Sequence, residues 1–384
     1  MIPTGSVSKE KKITIAMAWW WTWGHVFPIK SLIDFLEKRP TYAKRIQNIY
    51  WFGSSDSLEE HICQWLKPSI PLKFIPIFSG KYRRETKRSS RVKNVRDVFF
   101  FIAGFFQAIF WLLRYNIDVV FCKWWFVALP LVVAAGLLHK QIIVHESDTH
   151  PGLVNKIASR FSHKVFTGFD KVLPNSTTIG QIISDDIITE DKELLHPQKK
   201  SLFESWSPSK KPKVLVVGGS QGSRGLYTTM LDIFTQHPEV AGGFEFYLIL
   251  WWLNQEMSTS FAKFSNVHIK GFVTQQEMGM LYNLCDIAIT RGGTTSLAEQ
   301  KLFDIKQIII PIPRTHDQYD NAQWYVDHHQ DIMINQRDKG FDINIINALI
   351  KLRTFQKKPQ KKEKQLLVAQ AKDAIWKSIF SSIK

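Results

Sequence analysis

Cysteine is scarce in this chain. Only three of the 384 residues are cysteines, Cys63, Cys122 and Cys285, and they form no CxxC pair or other metal-ligand spacing. A disulfide framework or a structural zinc site needs more thiols, or thiols at closer regular spacing. The sequence therefore excludes both kinds of scaffold and predicts a reducing compartment.

Long hydrophobic runs are also missing. Residues 1–12 are polar and lack the apolar core of a signal peptide, so secretion is not expected. The apolar stretch 98–113 contains Gln107 and is shorter than the ~20 residues that a spanning helix needs. With 45% hydrophobic and 22% charged residues, the composition is typical of a folded soluble protein of about two domains.

Glycine is under-represented, whereas tryptophan is abundant. The chain has 20 glycines, about 5% against a usual ~7%, and 14 tryptophans. Four tryptophans lie in Trp19–Trp23, between an apolar strand-like run and a helix opened by Pro28. A strand-to-helix turn of this kind holds small residues in nucleotide-binding folds, because backbone amides approach a phosphate there.

Positive charge is in excess, and much of it is concentrated in one segment. The net charge is +16, which predicts an anionic partner: nucleic acid, a membrane surface or a phosphorylated substrate. Residues 81–96 hold eight Lys or Arg against one Glu and lead into the apolar stretch 98–113. This pattern fits a solvated loop before a buried helix, and it also fits a surface that contacts anionic lipid. The two interpretations are compatible with each other.

Short apolar runs alternate with helical stretches in two series. The pattern predicts an α/β protein with two doubly wound parallel sheets, one in each half. A polar, basic, proline-containing segment separates the halves and indicates a linker. We expect an N-terminal domain over 1–195, a linker over 196–212, a C-terminal domain over 213–355, and a basic segment with a closing helix over 356–384 that packs back on the N-terminal domain.

Three polar segments in the second half each follow a predicted strand. The first is Gly218–Gly222, where glycine permits a tight turn and Ser220 offers a hydroxyl to an anion. The second contains Arg291, Gly292 and, on the following helix, Glu299, which fits either a ribose ligand or a surface glutamate. In the third, Asp317, Gln318 and Asn321 offer polar groups to sugar hydroxyls. Together the three segments predict a nucleotide-sugar pocket.

The sequences of these segments, and their order along the chain, resemble those of the MurG family of N-acetylglucosaminyltransferases, in glycosyltransferase family 28. The resemblance runs from Ile13 to about Tyr325. It implies the GT-B fold, two Rossmann-like domains facing a cleft, with UDP-GlcNAc held mainly by the C-terminal one. It is carried by GGSQGSRGL at 218–226, TRGGTTSLAEQ at 290–300, PIPRTHDQYDNAQ at 311–323, HESDTHPGLVNK at 145–156 and the frame xxxTxGHVFP at 19–28.

The resemblance also bears on the tryptophans. The family's first turn reads GGGTGGH, and tryptophan replaces glycine there at Trp19, Trp20, Trp21 and Trp23, while Thr22, Gly24 and His25 are unchanged. The same replacement recurs at Trp124–Trp125 and at Trp251–Trp252. We interpret this as UGA codons that encode glycine being translated as tryptophan. The alternative is that the tryptophans are real and form an aromatic platform for sugar or lipid.

The reaction implied by the resemblance is an inverting transfer of GlcNAc to the 4-hydroxyl of lipid-linked MurNAc, which turns lipid I into lipid II. His25 would be the catalytic base and would also face the acceptor. No DxD triplet occurs, so no obligatory metal or other cofactor is predicted. The implied donor-binding residues are Thr22, Gly24, Gly219, Ser220, Gln221, Gly222, Arg291, Gly292, Thr295, Glu299, Gln318 and Asn321; the implied acceptor or cleft residues are Glu146, Asp148 and Asn155.

The implied partners are UDP-GlcNAc, an undecaprenyl-linked acceptor and anionic inner-leaflet lipid, at the cytoplasmic face of the cell membrane. Membrane contact would involve Lys81, Arg83, Arg84, Phe105 and Phe106. Nucleic acid is not an expected partner, because no readout module is evident. Two alternatives stay open: a related GT-B transferase that glycosylates another lipid, and a catalytically dead membrane-associated protein if the tryptophans are real.

Three departures from the family pattern concern the substrate contacts. The family's HEQN is His145-Glu146-Ser147-Asp148 here, so a carboxylate replaces an amide. Its DHQ is His316-Asp317-Gln318, in which only Gln318 carries over securely. Its GNPxR segment survives only as 180–184, without the arginine.

Overall fold

A computed structural model describes residues 11–18, 23–80, 88–123, 128–189, 210–219, 222–313, 315–357 and 363–382 of the chain, and only the main chain at 23–26, 88–93 and 316. These residues form two compact units. The first takes in the described parts of 11–147, 151–182 and 370–382, and the second those of 148–150 and 183–369.

The first unit is built on a sheet of seven parallel strands. They are β1 (Ile13–Ala18), β2 (Ile46–Gly53), β3 (Leu72–Pro76), β4 (Val119–Cys122), β5 (Gln141–Glu146), β6 (Lys164–Thr167) and β7 (Thr177–Thr178). Their order in the sheet is β3-β2-β1-β4-β5-β6-β7, so the winding reverses between β1 and β4. Every residue of β1 is buried, which explains its unbroken apolar sequence: both faces of a parallel sheet are covered by helices.

Among the described residues, six α-helices of the first unit precede the helix at the end of the chain. One core cluster joins the sheet to helix residues such as Ala108, Leu112 and Leu131. The helices are α1 (Trp23–Glu37), α2 (Pro40–Ala43), α3 (Leu58–Trp65), α4 (Arg88–Arg114), α5 (Ala128–Leu137) and α6 (Leu153–Phe161).

The second unit repeats the design with six parallel strands. They are β8 (Lys213–Val217), β9 (Glu245–Ile249), β10 (Val267–Lys270), β11 (Ile287–Thr290), β12 (Lys306–Ile309) and β13 (Ile332–Met333). The order is β10-β9-β8-β11-β12-β13, and the winding reverses between β8 and β11. The prediction of two doubly wound parallel-sheet domains is confirmed.

The helices of the second unit cover both faces of this sheet. Two separate apolar clusters result, one on each face. The helices are α7 (Arg224–Gln236), α8 (Pro238–Ala241), α9 (Ser258–Phe261), α10 (Gln275–Leu284), α11 (Thr294–Leu302), α12 (His316–His329) and α13 (Phe341–Lys351).

The last helix, α14 (Lys364–Ser381), begins with residues of the second unit and ends with residues of the first. Trp376 on α14 is fully buried, and its Nε1 donates to the carbonyl oxygen of Leu32 at 3.1 Å. Tyr42 donates to Asp373 at 3.0 Å. The chain passes from the first unit to the second between Ile182 and Ile183, whereas the sequence-based boundary is at residue 195. Most of the expected linker, 196–212, lies outside the described residues.

Candidate functional site

The carboxyl ends of β8 and β11 lie side by side where the winding of the second sheet reverses. Residue pairs such as Thr290 and Val217 are in register there. Gly218 follows β8, and Arg291 follows β11. In open α/β sheets the loops that leave such a reversal point diverge and open a crevice for a ligand. Among the described residues, the predicted donor residues Gly219, Gly222, Arg291 and Gly292 lie in the loops that leave this point.

The turn after β8 requires glycine. Gly219 and Gly222 have positive φ, +85° and +72°, and a Cβ on Gly218 would lie 2.5 Å from the main-chain nitrogen of Ser223. Gly218 N–H donates to the Tyr227 hydroxyl at 2.9 Å, and that hydroxyl donates to the carbonyl oxygen of Ile249 at 2.6 Å. Buried Tyr227 therefore fixes the turn to the end of β9.

Helix α7 begins directly after this turn. Ser223 is its N-cap, and the Ser223 side chain accepts from the main-chain nitrogen of Leu226 at 3.4 Å. The free N–H groups and the dipole of a helix N-terminus favour an anion. The glycine turn and the helix start together form an arrangement that suits a phosphate group. The predicted Ser220 and Gln221 follow Gly219 in the sequence and lie outside the described residues.

Arg291 connects three loops of the crevice. Its Nη1 donates to the carbonyl oxygens of Ile310, at 2.9 Å, and Pro311, at 3.3 Å. Its Nη2 donates to Gln336 Oε1 at 3.0 Å and to the Ser223 hydroxyl. Burial lowers the pKa of Arg291 from its usual value, yet a guanidinium remains charged. Arg291, predicted to bind the donor substrate, is thus a buried side chain whose hydrogen bonds connect the loops after β12 and β13 to the start of α7.

Gln318 and Gly292 meet at the next loop. The Gln318 Oε1 accepts from Gly292 N–H at 3.2 Å and from Ile312 N–H at 3.1 Å. A Cβ on Gly292 would lie 2.4 Å from the Gln318 carbonyl oxygen, so glycine is required. Within the described part of the chain the Gln318 Nε2 has no hydrogen-bond acceptor, and this group is free to donate to a ligand.

Glu299 is buried on α11, whose first turn also carries the half-buried Thr295. The Tyr282 hydroxyl donates to Glu299 Oε2 at 3.4 Å. Burial raises the pKa of Glu299 to about 8, and the tyrosine hydrogen bond opposes the rise. Glu299 therefore stays largely protonated at neutral pH, unlike a solvated surface glutamate.

Asn321 contacts the short segment 148–150, which belongs to the second unit. Its Oδ1 accepts from the Thr149 main-chain nitrogen at 3.0 Å and from the Thr149 hydroxyl at 3.1 Å. Its Nδ2 donates to Asp148 Oδ1 at 2.9 Å. The structure thus brings a predicted donor residue and a predicted acceptor residue together, with the amide of Asn321 engaged by protein groups.

In the first unit, the predicted acceptor residues Glu146 and Asn155 are bonded to each other. Asn155 Nδ2 donates to Glu146 Oε2 at 2.9 Å, and Gly152 N–H donates to the same oxygen at 3.2 Å. Both side chains are buried, and the Asn155 Oδ1 has no hydrogen-bond donor among the described residues. The pair fixes the start of α6 against the end of β5.

The neighbouring His145 also lies at the carboxyl end of β5. It is fully buried, with Nε2 3.0 Å from the carbonyl oxygen of Gly180. Burial, with Lys123 nearby, lowers the pKa of His145 to about 3, so the ring is neutral at physiological pH. Gln181 Nε2 donates to the Ser147 carbonyl oxygen at 2.7 Å.

Two of the predicted residues lie at the N-terminus of α1. Gly24 and His25 lie in the first turn of α1, directly after the β1 turn, and only their main chain is described. Outside the described residues lie Thr22, Ser220, Gln221, Lys81, Arg83 and Arg84.

Helix α4 has one face in the core and an apolar face in solvent. Its segment Asn94–Arg114 is, by length and composition alone, apolar enough to cross a membrane, with mean hydropathy 1.6. Ala108 and Leu112 are fully buried, however, so the helix is packed on the first unit. Phe105 is half-buried. The exposed apolar side chains are Val95, Val98, Phe99, Phe100, Ile102, Phe106, Phe110 and Leu113.

Four residues of the site escaped sequence reasoning: Ser223, Tyr227, Tyr282 and Gln336. Ser223 alone had a usable signal, because a serine before a helix is a common N-cap. Among the described residues, no group of three or more His, Cys, Asp or Glu side chains is placed to hold a metal ion.

Two domain families match the chain. Residues 15–167 match the glycosyltransferase family 28 N-terminal domain, and residues 213–377 match the glycosyltransferase family 28 C-terminal domain. The first match covers β1 to β6, and the second covers the whole crevice between β8 and β11.

Similar proteins include two bacterial enzymes with the same name, UDP-N-acetylglucosamine--N-acetylmuramyl-(pentapeptide) pyrophosphoryl-undecaprenol N-acetylglucosamine transferase. The one from Borrelia garinii subsp. bavariensis is 28% identical over 334 residues, 85% of each chain. The one from Staphylococcus aureus MRSA252 is 28% identical over 316 residues, 80% of this chain and 81% of the other. The crystal structure of Acinetobacter baumannii MurG has the same fold, with TM-score 0.68 and 18% identity over 96% of this chain and 99% of that one.

Proposed function

Because the chain belongs to glycosyltransferase family 28, we propose that it transfers GlcNAc from UDP-GlcNAc to N-acetylmuramyl-(pentapeptide) pyrophosphoryl-undecaprenol. This is the step from lipid I to lipid II in peptidoglycan synthesis. The observation that carries the proposal is the match of both domains to this family together with the crevice of the second unit. There, a glycine turn before a helix, a buried carboxyl group and a free amide donor follow neighbouring strands.

The donor's diphosphate would bind at the glycine turn after β8. The main-chain N–H groups around Gly219 and the start of α7 would carry the charge that develops on UDP as it leaves. Arg291 would support this step indirectly, since its Nη2 holds Ser223 at the helix start. It is a positioning residue, because its Nη hydrogen bonds go to protein groups.

The sugars of the donor would bind at the loops after β11 and β12. Glu299 would bind the ribose hydroxyls, to which its carboxyl group can donate or accept. The free Nε2 of Gln318 would donate to a GlcNAc hydroxyl while Oε1 keeps its two main-chain bonds. Asn321 would act by positioning Asp148 and Thr149 rather than by direct contact.

His25 would be the base that removes the proton from the attacking 4-hydroxyl. A histidine titrates near neutral pH, and the position directly after the β1 turn suits a group at the edge of the first sheet. His145 is excluded from this role by its pKa of about 3 and its complete burial. Glu146 and Asn155 would shape the acceptor side by fixing α6.

The exposed face of α4 would dock the enzyme on the cytoplasmic face of the membrane, where the acceptor lies. Phe99 and Phe106 are 68% and 63% exposed, and apolar side chains of this kind insert at the headgroup boundary. The basic segment that precedes α4 would contact anionic lipid headgroups.

The activity is tested with purified protein, labelled UDP-GlcNAc and lipid I. We expect a labelled lipid II product, and loss of at least about 100-fold in kcat for His25→Ala. Transfer to diacylglycerol but not to lipid I would instead show a transferase for another lipid. UDP-GlcNAc binding without transfer to any lipid acceptor would contradict the proposed activity.

Docking is tested with vesicles of phosphatidylglycerol and phosphatidylcholine. Phe99→Ser/Phe106→Ser should lower cosedimentation, whereas Leu366→Ser should not, although Leu366 is 69% exposed on α14. Equal binding to pure phosphatidylcholine would contradict the role of anionic lipid.

A further inference from the structure

Trp251 has a backbone conformation that belongs to glycine. It directly precedes a 3₁₀ helix, with φ 56° and ψ 172°. This combination lies next to a region that only glycine populates readily, since a Cβ there clashes with the main chain. Gln330, another positive-φ residue, has ψ 31° and is an ordinary left-handed helix cap. Trp251 is therefore strained in a way that Gln330 is not.

The Trp251 side chain packs against a neighbouring ring but makes no hydrogen bond among the described residues that could offset this strain. Its ring lies edge-on to Phe272, with centroids 5.5 Å apart. Its Nε1 is buried and has no hydrogen-bond acceptor among the described residues. Trp376 on helix α14 is the contrasting case: its side chain is fully buried, and its Nε1 donates to the carbonyl oxygen of Leu32 at 3.1 Å. A buried indole N–H normally has such a partner.

Five strand-end turns of this chain contain either a pair of glycines or a run of tryptophan. The turns after β8 and β11 contain Gly218–Gly219 and Gly292–Gly293, and a Cβ would lie 2.5 Å from main chain at Gly218 and 2.4 Å at Gly292. The turns after β1, β4 and β9 contain runs of tryptophan instead. Trp251–Trp252 is the described example, and the other runs, at 19–23 and 124–125, are adjacent by sequence to β1 and β4.

We propose that Trp251, and with it the tryptophans of the other strand-end turns, are glycines in the protein that the cell makes. A gene in which UGA encodes glycine gives this sequence when UGA is translated as tryptophan. At Trp251 the replacement falls on a backbone conformation that needs glycine, whereas Trp376, which fits its site, is spared. Glycine at these turns would let main-chain N–H groups approach an anionic ligand closely.

The test is peptide mass spectrometry on the protein from its native host, with the gene's codons read at Trp251 and Trp376. We expect a glycine mass over UGA at 251 and a tryptophan mass over UGG at 376. A tryptophan mass at 251 overturns the proposal. Neither outcome depends on the activity, so the proposal and the proposed function can fail separately.

Variants test the backbone requirement in the chain that carries tryptophan at position 251. Trp251→Gly and Trp251→Ala both remove the ring, but only glycine relieves the positive φ. We expect Trp251→Gly to melt ~2–6 °C above Trp251→Ala. Trp252 is the matched control: it is exposed and lacks a positive φ, so its Gly variant should melt no higher than its Ala variant. The same order at both positions would contradict a glycine site at 251.

Discussion

Tyr282 on α10 and Glu299 on α11 form a buried pair, with the tyrosine hydroxyl 3.4 Å from Glu299 Oε2. One long hydrogen bond does not replace the water that an ionised carboxylate loses on burial. The pKa of Glu299 therefore rises to about 8. The predicted ribose ligand is a proton-holding group in the folded protein.

Glu299→Gln should change the pH dependence of stability. Between the ordinary glutamate pKa of 4.5 and about 8, the folded protein holds a proton that the unfolded chain has lost. The free energy of unfolding of the wild type should thus fall by on the order of 2–4 kcal/mol across this range. Urea denaturation of Glu299→Gln should show a smaller fall. Glu256→Gln, at a half-exposed carboxylate, should behave as the wild type.

Arg291→Lys should weaken binding of UDP and destabilise the second unit. A lysine ammonium cannot reach the Ile310 carbonyl and Gln336 together as the planar guanidinium does. The buried acceptors left without a donor should cost about 1–3 kcal/mol of unfolding free energy. Calorimetric titration with UDP and a thermal melt measure the two effects. Unchanged UDP affinity would contradict the positioning role, and Arg337→Lys, at an exposed site, is the control.

Gln318→Glu should separate sugar binding from loop structure. Both residue types offer acceptors to Gly292 N–H and Ile312 N–H, but glutamate lacks the amide donor. We expect the KM for UDP-GlcNAc to rise about 10-fold, the effect of ~1.4 kcal/mol, while the inhibition constant of UDP changes little. An equal loss of UDP affinity would point to charge repulsion or loop disruption. Gln323→Glu, farther along the same helix, is the control.

Trp376→Ala should destabilise the first unit strongly. The side chain is fully buried and bonded to Leu32, so its removal leaves a cavity and loses this hydrogen bond. The expected loss is about 3–5 kcal/mol of unfolding free energy in urea. Leu366→Ala on the same helix should stay within about 0.5 kcal/mol, because Leu366 is 69% exposed. A similar small loss for both would contradict the anchoring role of Trp376.

Local sequence pattern was sufficient to predict the two sheets and the turn after β8. Buried strands such as Ile13–Ala18 are continuous apolar runs, and glycines mark the points where main chain approaches main chain. These features depend on neighbours in the sequence, so composition and period reveal them.

The partners of the site residues could not be predicted in the same way. Arg291 bonds to Ser223, 68 residues earlier, and to Gln336, 45 residues later. The local sequence marks Ser223 only as a helix N-cap and does not distinguish Gln336 from an ordinary loop residue; only the strand order brings both to Arg291. The sequence could not decide whether α4 is a buried helix or a lipid-contacting surface for a related reason. An apolar run does not show which of its side chains pack in the core and which face solvent.

The pairing of Leu32 with Trp376 has a consequence for synthesis of the chain. The two residues are 344 positions apart, so the ribosome makes Leu32 on α1 early and makes Trp376, which covers it, among the last residues. The whole second unit emerges in between, and it can complete its sheet from its own strands. The first unit therefore cannot complete its core until the last helix has been made, and a ribosome that stalls before α14 leaves that core open.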